Sequence, residues 1–141
     1  MNWSGLIMDN KELIEIAKQA RLNAYAPISN FLVGAALLTK DGKVYMGCNI
    51  EDPSGIGITN ICAERCAIVK AISEGEKEFV KIAVVGSIEG LIFTSFPCGV
   101  CRQYLNSFAP NIVIVCLENG KIKEFNVNEL LPCSFNEKFG K

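Results

Sequence analysis

Apolar residues recur at helical spacing near the start of the chain, at Leu13, Ile16, Ala17, Ala20 and Ala24, behind Asp9 with Glu12 three positions on. A capping box ahead of such a stripe predicts an amphipathic helix from about residue 10 to Tyr25, ended by Pro27. The period then shortens. Residues 32–39 and 43–48 are runs rich in strand formers on either side of Asp41-Gly42, whose positive backbone angles suit a tight hairpin turn. Residues 52–60 hold Pro53, Gly55 and Gly57 and predict an irregular connection. A second helix is expected over 61–73, stopped at Gly75, and a strand over 80–86. Residues 89–96 read as a loop leading into Pro97, which is pre-organised for the first turn of a helix over 98–108, closed by Ala109-Pro110. Two further strands, 112–117 and 121–125, flank Asn119-Gly120, and 128–131 form a last helical turn.

This order predicts a three-layer α/β domain in which helices cover a mixed sheet of about five strands. The unbroken apolar character of 82–85 and 112–115 suits central strands buried on both faces. Two cysteine-bearing segments then fall at helix N-termini just past loops or strand ends, where open α/β sheets place their sites.

Composition narrows the chemistry. The 141 residues are half apolar, a size expected to form one domain over 1–141. With 14 basic against 15 acidic residues and no basic run, the chain is not expected to hold a nucleic-acid backbone. Its longest strand-like apolar run, 112–117, falls far below the ~20 residues that cross a bilayer, so no membrane partner is expected. Residues 1–8 lack basic residues ahead of their apolar part, so no signal peptide is expected there, and the setting expected is cytoplasmic.

Histidine is absent. That removes Ser-His and Cys-His dyads and every histidine metal ligand within one chain, so acid-base work near neutral pH needs a perturbed Asp, Glu, Lys, Cys or Tyr. Seven cysteines, an odd count without a secretory signal, disfavour a disulfide framework and leave metal ligation or burial. Cys98-Gly99-Val100-Cys101 is a C-x-x-C in the first turn of a helix, where free N–H groups favour thiolates. Alone it also fits a thioredoxin-like redox pair or two buried thiols. Cys62-Ala63-Glu64 adds a third cysteine at another helix start, with a carboxylate about 200° round that helix yet within its first turn. Three soft ligands with a fourth position open fit a catalytic zinc site better than a structural one, and Glu64 is the candidate to accept and redeliver a proton.

At these residues the chain resembles the zinc-dependent cytidine deaminase family in its small homotetrameric form. Cys62-Ala63-Glu64-Arg65 and Pro97-Cys98-Gly99-Val100-Cys101-Arg102-Gln103 match the superfamily signature, with Cys₃ as the ligand variant. Tyr25-Ala26-Pro27, residues 29–37, Gly47-Cys48-Asn49-Ile50-Glu51 and Glu129-Leu130-Leu131-Pro132 extend the resemblance in order from residue 11 to Phe135. It implies the cytidine deaminase-like α-β-α fold and one zinc held by Cys62, Cys98 and Cys101. It also implies attack of zinc-bound hydroxide on C4 of cytidine or deoxycytidine, with Glu64 moving protons to N3 and the departing amine. Asn49 and Glu51 then clamp the ribose, Phe31 packs near the nucleoside and the backbone around Ala63 holds the base edge. Phe135 reaches the pyrimidine from a neighbouring subunit of a homotetramer. Three thiolates on Zn²⁺ sum to a negative charge, so compensating positive charge is expected close by; Arg65 and Arg102 adjoin the ligand region as candidate donors to sulfur, the alternative being solvated helix arginines.

The segment after Glu51 departs from the family pattern: Asp52-Pro53-Ser54-Gly55-Ile56-Gly57 is slightly longer and lacks the usual Tyr, and Ile28 stands where a Tyr is common. Cys66, one turn after Cys62, is read as a packing thiol, and Cys48, Cys116 and Cys133 as core or surface thiols. A deaminase of a cytosine-nucleoside antibiotic such as blasticidin S shares the motifs, but Asn49-Ile50-Glu51 favours the ribose-binding version. A polynucleotide deaminase would need an electropositive channel that this balanced chain lacks. A non-catalytic zinc module would need a fourth ligand, which only Cys66 is placed to supply.

Overall fold

A computed structural model describes residues 8–139; of the stretch 1–8, where no signal peptide is expected, all but Met8 lies outside them. Helix α1 (Asn10–Ala20) opens as its capping pattern demands, Asp9 accepting the Glu12 N–H at 2.8 Å. It is shorter than its apolar stripe predicts. Arg21–Asn23 form one 3₁₀ turn and Ala24 is already extended, because Tyr25 is drawn into a bridge with Ile50. Its N–H reaches Asn49 O at 3.0 Å and its C=O accepts from Glu51 at 2.8 Å, so tertiary pairing overrides helical periodicity.

Strands β1 (Phe31–Thr39) and β2 (Val44–Cys48) form the expected hairpin, with Gly42 at φ 90°. Helix α2 (Ala63–Ser73) starts two residues later than expected, with Cys62 as its N-cap. Strand β3 (Phe79–Ile88) outruns its expected length at both ends. A turn at Glu89-Gly90, φ 51° and 80°, then folds the chain into β4 (Leu91–Phe93), inside the segment expected to be a loop. All three β4 residues are exposed, so no inside-outside alternation marks the strand; pairing with Gly86, Ser87 and Ile88 creates it. Helix α3 (Gly99–Phe108) takes Cys98 as its N-cap and leaves Pro97 outside the helix. Strands β5 (Val113–Glu118) and β6 (Lys121–Asn126) turn at Asn119-Gly120, and α4 (Val127–Leu130) is closed by a capping box between Asn126 and Glu129.

The sheet runs β2-β1-β3-β5-β6 with β4 added to β3, giving six strands instead of about five. β3 and β5 are parallel and the other pairs antiparallel. Alternate residues sort to its two faces. Ala35, Leu37, Ile82, Val84, Ile114 and Cys116 pack with α2 and α3, while Ala36, Ala83, Val85, Val115 and Leu117 pack with α1. β3 and β5 are thus buried on both sides, as their apolar runs predict, and α1, sheet and α2/α3 make three layers. Gly47 in β2 fixes the height of α2: a Cβ there would collide with the Ala63 carbonyl and the Ala67 amide. Only a bare backbone lets the start of α2 lie directly on the sheet.

Candidate active site

The N-termini of α2 and α3 meet with Val84 of β3 on the wall of the same cavity, and each is capped by a cysteine that makes no side-chain capping bond. Their sulfurs are therefore available to each other. Cys62 Sγ and Cys98 Sγ lie 3.6 Å apart, and with Cys101 Sγ they form a group whose members all lie within 4.8 Å of one another. Tetrahedral zinc with Zn–S bonds of ~2.3 Å separates its sulfurs by about 3.8 Å, so the cluster fits that ion in donor type and spacing. Cys101 is fully buried behind the pair, and Cys66 is not in the cluster.

Even without metal the cluster favours charge. Cys62 is pulled down to about 5 by a hydrogen bond from Cys101 and by Arg65, whose Nη2 donates to Cys62 Sγ at 3.6 Å. Cys101, as the partner that keeps its proton, is pushed up. Arg65 thus stands beside the cluster, its Nε buried and without a hydrogen-bond partner among the described residues. Arg102 is directed to main-chain carbonyls, with no hydrogen bond to sulfur among the described residues. Its Nε donates to Pro97 O at 2.7 Å and its Nη1 to Leu130 O at 2.8 Å, bracing the entry of α3 against α4. Cys116, buried beneath the sheet face, is pushed up to about 12 by burial and stays a neutral thiol.

Glu64 stands in the first turn of α2 and is 3% exposed. Burial, with the neighbouring Cys62 charge, pushes its carboxyl up to about 7. It lines a cavity of about 280 Å³ together with Cys62, Cys98, Ala63, Phe31, Asn49 and Glu51, which the sequence places far apart.

The far wall is built from hydrogen bonds to main chain. Asn49 accepts from Val33 N–H at 2.9 Å and donates to Phe31 O at 2.8 Å, pinning the start of β1. Glu51 Oε1 accepts from the N–H groups of Ile28 at 2.9 Å and Ser29 at 3.1 Å, which with the Ser29 hydroxyl hold its carboxyl below the usual range. Phe135 does not line this cavity. Its carbonyl accepts from Gln103 Nε2 at 3.0 Å while its ring, 59% exposed, stands 6.1 Å from that of Phe139. Asn60, Ile61, Ser95 and Phe96 also line the cavity and carry no sequence signal of their own. Phe96 is held by an edge-on contact with Phe125 on β6, a pairing only the folded sheet brings about.

A family model described as the cytidine and deoxycytidylate deaminase zinc-binding region matches residues 8–117. The chain is 47% identical over 133 residues to the cytidine deaminase of Sporosarcina psychrophila, covering 93% of this chain and 94% of that one. To the cytidine deaminase of Halalkalibacterium halodurans it is 50% identical over 130 residues, covering 91% and 95%. The crystal structure of cytidine deaminase from Burkholderia pseudomallei superposes with a TM-score of 0.82 at 43% identity, over 91% of this chain and all of the other.

Proposed function

This chain belongs to the cytidine and deoxycytidylate deaminase family, and we propose how its own residues carry out the hydrolysis of cytidine and deoxycytidine to uridine and deoxyuridine with release of ammonia. It is a zinc-binding hydrolase, and Cys62, Cys98 and Cys101 are the residues to hold the ion. Bound there, zinc supplies the Lewis acidity that lets a water ionise near neutral pH.

The observation that carries the reading is Glu64, a carboxyl pushed up to about 7 in the cavity beside the thiol cluster. A group so poised holds a proton at neutral pH and still gives it up. Glu64 takes a proton from the incoming water, delivers it to N3 of the ring, and passes a proton to the amine leaving C4. Water supplies the oxygen that remains on C4, and the C4–N bond breaks. Arg65 offsets the charge of the thiolates through Cys62. Ala63 presents backbone to the base edge, Phe31 packs on the nucleoside, and Glu51 and Asn49 hold the sugar.

The substrate is a nucleoside and not its phosphate. No lysine or arginine is among the described residues lining the cavity, and Glu51 at its rim would repel a phosphate. Phe135, outside its own cavity and more than half exposed, is the ring to enter a neighbour's, which makes a homotetramer part of the proposal. A cytoplasmic setting completes it, because a reducing thiol pool keeps the three ligand cysteines free of disulfides. The test is to incubate zinc-loaded protein with cytidine and follow the ultraviolet change on conversion to uridine. Turnover is expected; its absence from protein carrying a full complement of zinc would refute the reading.

A further inference from the structure

The loop over 52–60, where this chain departs from its family's pattern, is closed at its neck. Ile50 and Ile61 exchange both backbone hydrogen bonds at 3.0 Å, and Glu51 and Asn60 follow and precede that bridge, side by side. Asp52 ties the loop together: its carboxylate accepts from Ser54 N–H at 2.8 Å, Ser54 Oγ at 2.6 Å and Thr59 Oγ1 at 2.5 Å, and its own N–H donates to Asn60 Oδ1 at 2.6 Å. That last bond fixes the Asn60 amide. Its Oδ1 is spent, while Nδ2 has no hydrogen-bond partner among the described residues, and the half-buried side chain lines the cavity with Asn49 and Glu51.

Asn49 and Glu51, which the family resemblance implies as the sugar clamp, are already much occupied. Asn49 spends Oδ1 and one Nδ2 hydrogen on β1, and Glu51 spends Oε1 on Ile28 and Ser29. The Glu51 carboxylate keeps lone pairs to accept from a sugar hydroxyl. The same hydroxyl keeps lone pairs that need a donor when water is expelled, and an unspent donor stands beside it.

We infer that Asn60 is a specificity residue of this chain, its Nδ2 donating to a hydroxyl of the substrate's sugar. The inference rests on the deaminase reading, and it adds a contact from the loop that the family motifs do not cover. Because Oδ1 is already anchored, the donor is held in place before substrate arrives, so little ordering entropy is lost on binding.

The experiment pairs two variants with four substrates: Asn60→Asp and Asn60→Ala against wild type, each on cytidine, 2′-deoxycytidine, 3′-deoxycytidine and 5′-deoxycytidine. Asn60→Asp keeps an oxygen for the Asp52 N–H but has no amide donor; Asn60→Ala removes both. Both variants are expected to lose about tenfold in kcat/KM on cytidine, the size of one neutral hydrogen bond. On whichever deoxy substrate lacks the contacted hydroxyl, the gap to wild type closes, and that identifies the hydroxyl. If the gap is the same on all four substrates, Asn60 only shapes the loop and the inference fails. It fails equally if Asn60→Asp behaves as wild type on cytidine. Zinc content and melting temperature of each variant accompany the kinetics, so that a folding defect is seen as such. Failure of wild type to turn over cytidine would sink the deaminase reading itself, a result distinct from either of these.

Discussion

The two walls of the cavity are made by different means. The metal wall consists of short-range units: Cys62 and Glu64 in one helical turn, Cys98 and Cys101 in another, both set at helix starts against a buried sheet. The sugar wall is assembled from residues held by bonds to distant backbone, such as Glu51 to Ile28 and Ser29, and Asn49 to Phe31 and Val33. On the proposed reading, local spacing carries the chemistry, and long-range hydrogen bonding carries the choice of substrate. Substitutions on the first wall should act on kcat and zinc, and those on the second on KM.

The largest effect is expected from Cys101→Ala, which removes the buried sulfur behind the cluster. Zinc measured per chain should fall toward none, turnover should vanish, and the melting temperature should drop, because binding energy at such a site adds to stability. A variant that kept its zinc would move the metal elsewhere. Next comes Glu51→Gln, which weakens charge-assisted bonds from two N–H groups. KM for cytidine should rise about tenfold or more while zinc content stays full, and a fall confined to kcat would erase the distinction between the walls.

Phe135→Ala should raise KM several-fold without emptying the metal site, and sedimentation should show whether assembly survives. Wild-type kinetics in an intact oligomer would remove Phe135 from any neighbour's cavity. The smallest effect is expected from Asp52→Asn, with KM rising about twofold as the loop loosens. Its hydrogen bonds hold the Asp52 carboxyl below its ordinary 3.8, so the stabilisation is complete above that value and is lost only as pH falls through the lower folded one. The ratio of variant to wild-type KM should thus stay constant between about pH 6 and about pH 8, where Asp52 remains charged in both states. A ratio that changed across that range would point to another titrating group.

The same division explains how far the sequence could be read. Helix starts with Asp9 or with a cysteine ahead of an apolar stripe are local patterns, and the three ligand candidates follow from spacing alone. β4 was beyond such reading because its three exposed residues owe their conformation to the end of β3. α1 ends early for a comparable reason, since Tyr25 pairs with Ile50, two residues past β2 and 25 residues away in sequence, a contact no periodicity encodes. Arg102 illustrates the limit at the site itself. Its place next to Cys101 suggests a sulfur donor, yet the nearby carbonyls of Pro97 and Leu130 take its hydrogen bonds. Asn60 reaches the cavity only because the bridge between Ile50 and Ile61 closes the loop.

Glu64→Gln tests most directly whether the buried carboxyl beside the cysteines moves the protons. The side chain keeps its size and can still hydrogen-bond, so fold and zinc content should match wild type. kcat for cytidine should fall by about 10³-fold or more, because both proton transfers lose their carrier. Zinc-loaded, folded Glu64→Gln protein turning over cytidine at near wild-type kcat would contradict that assignment.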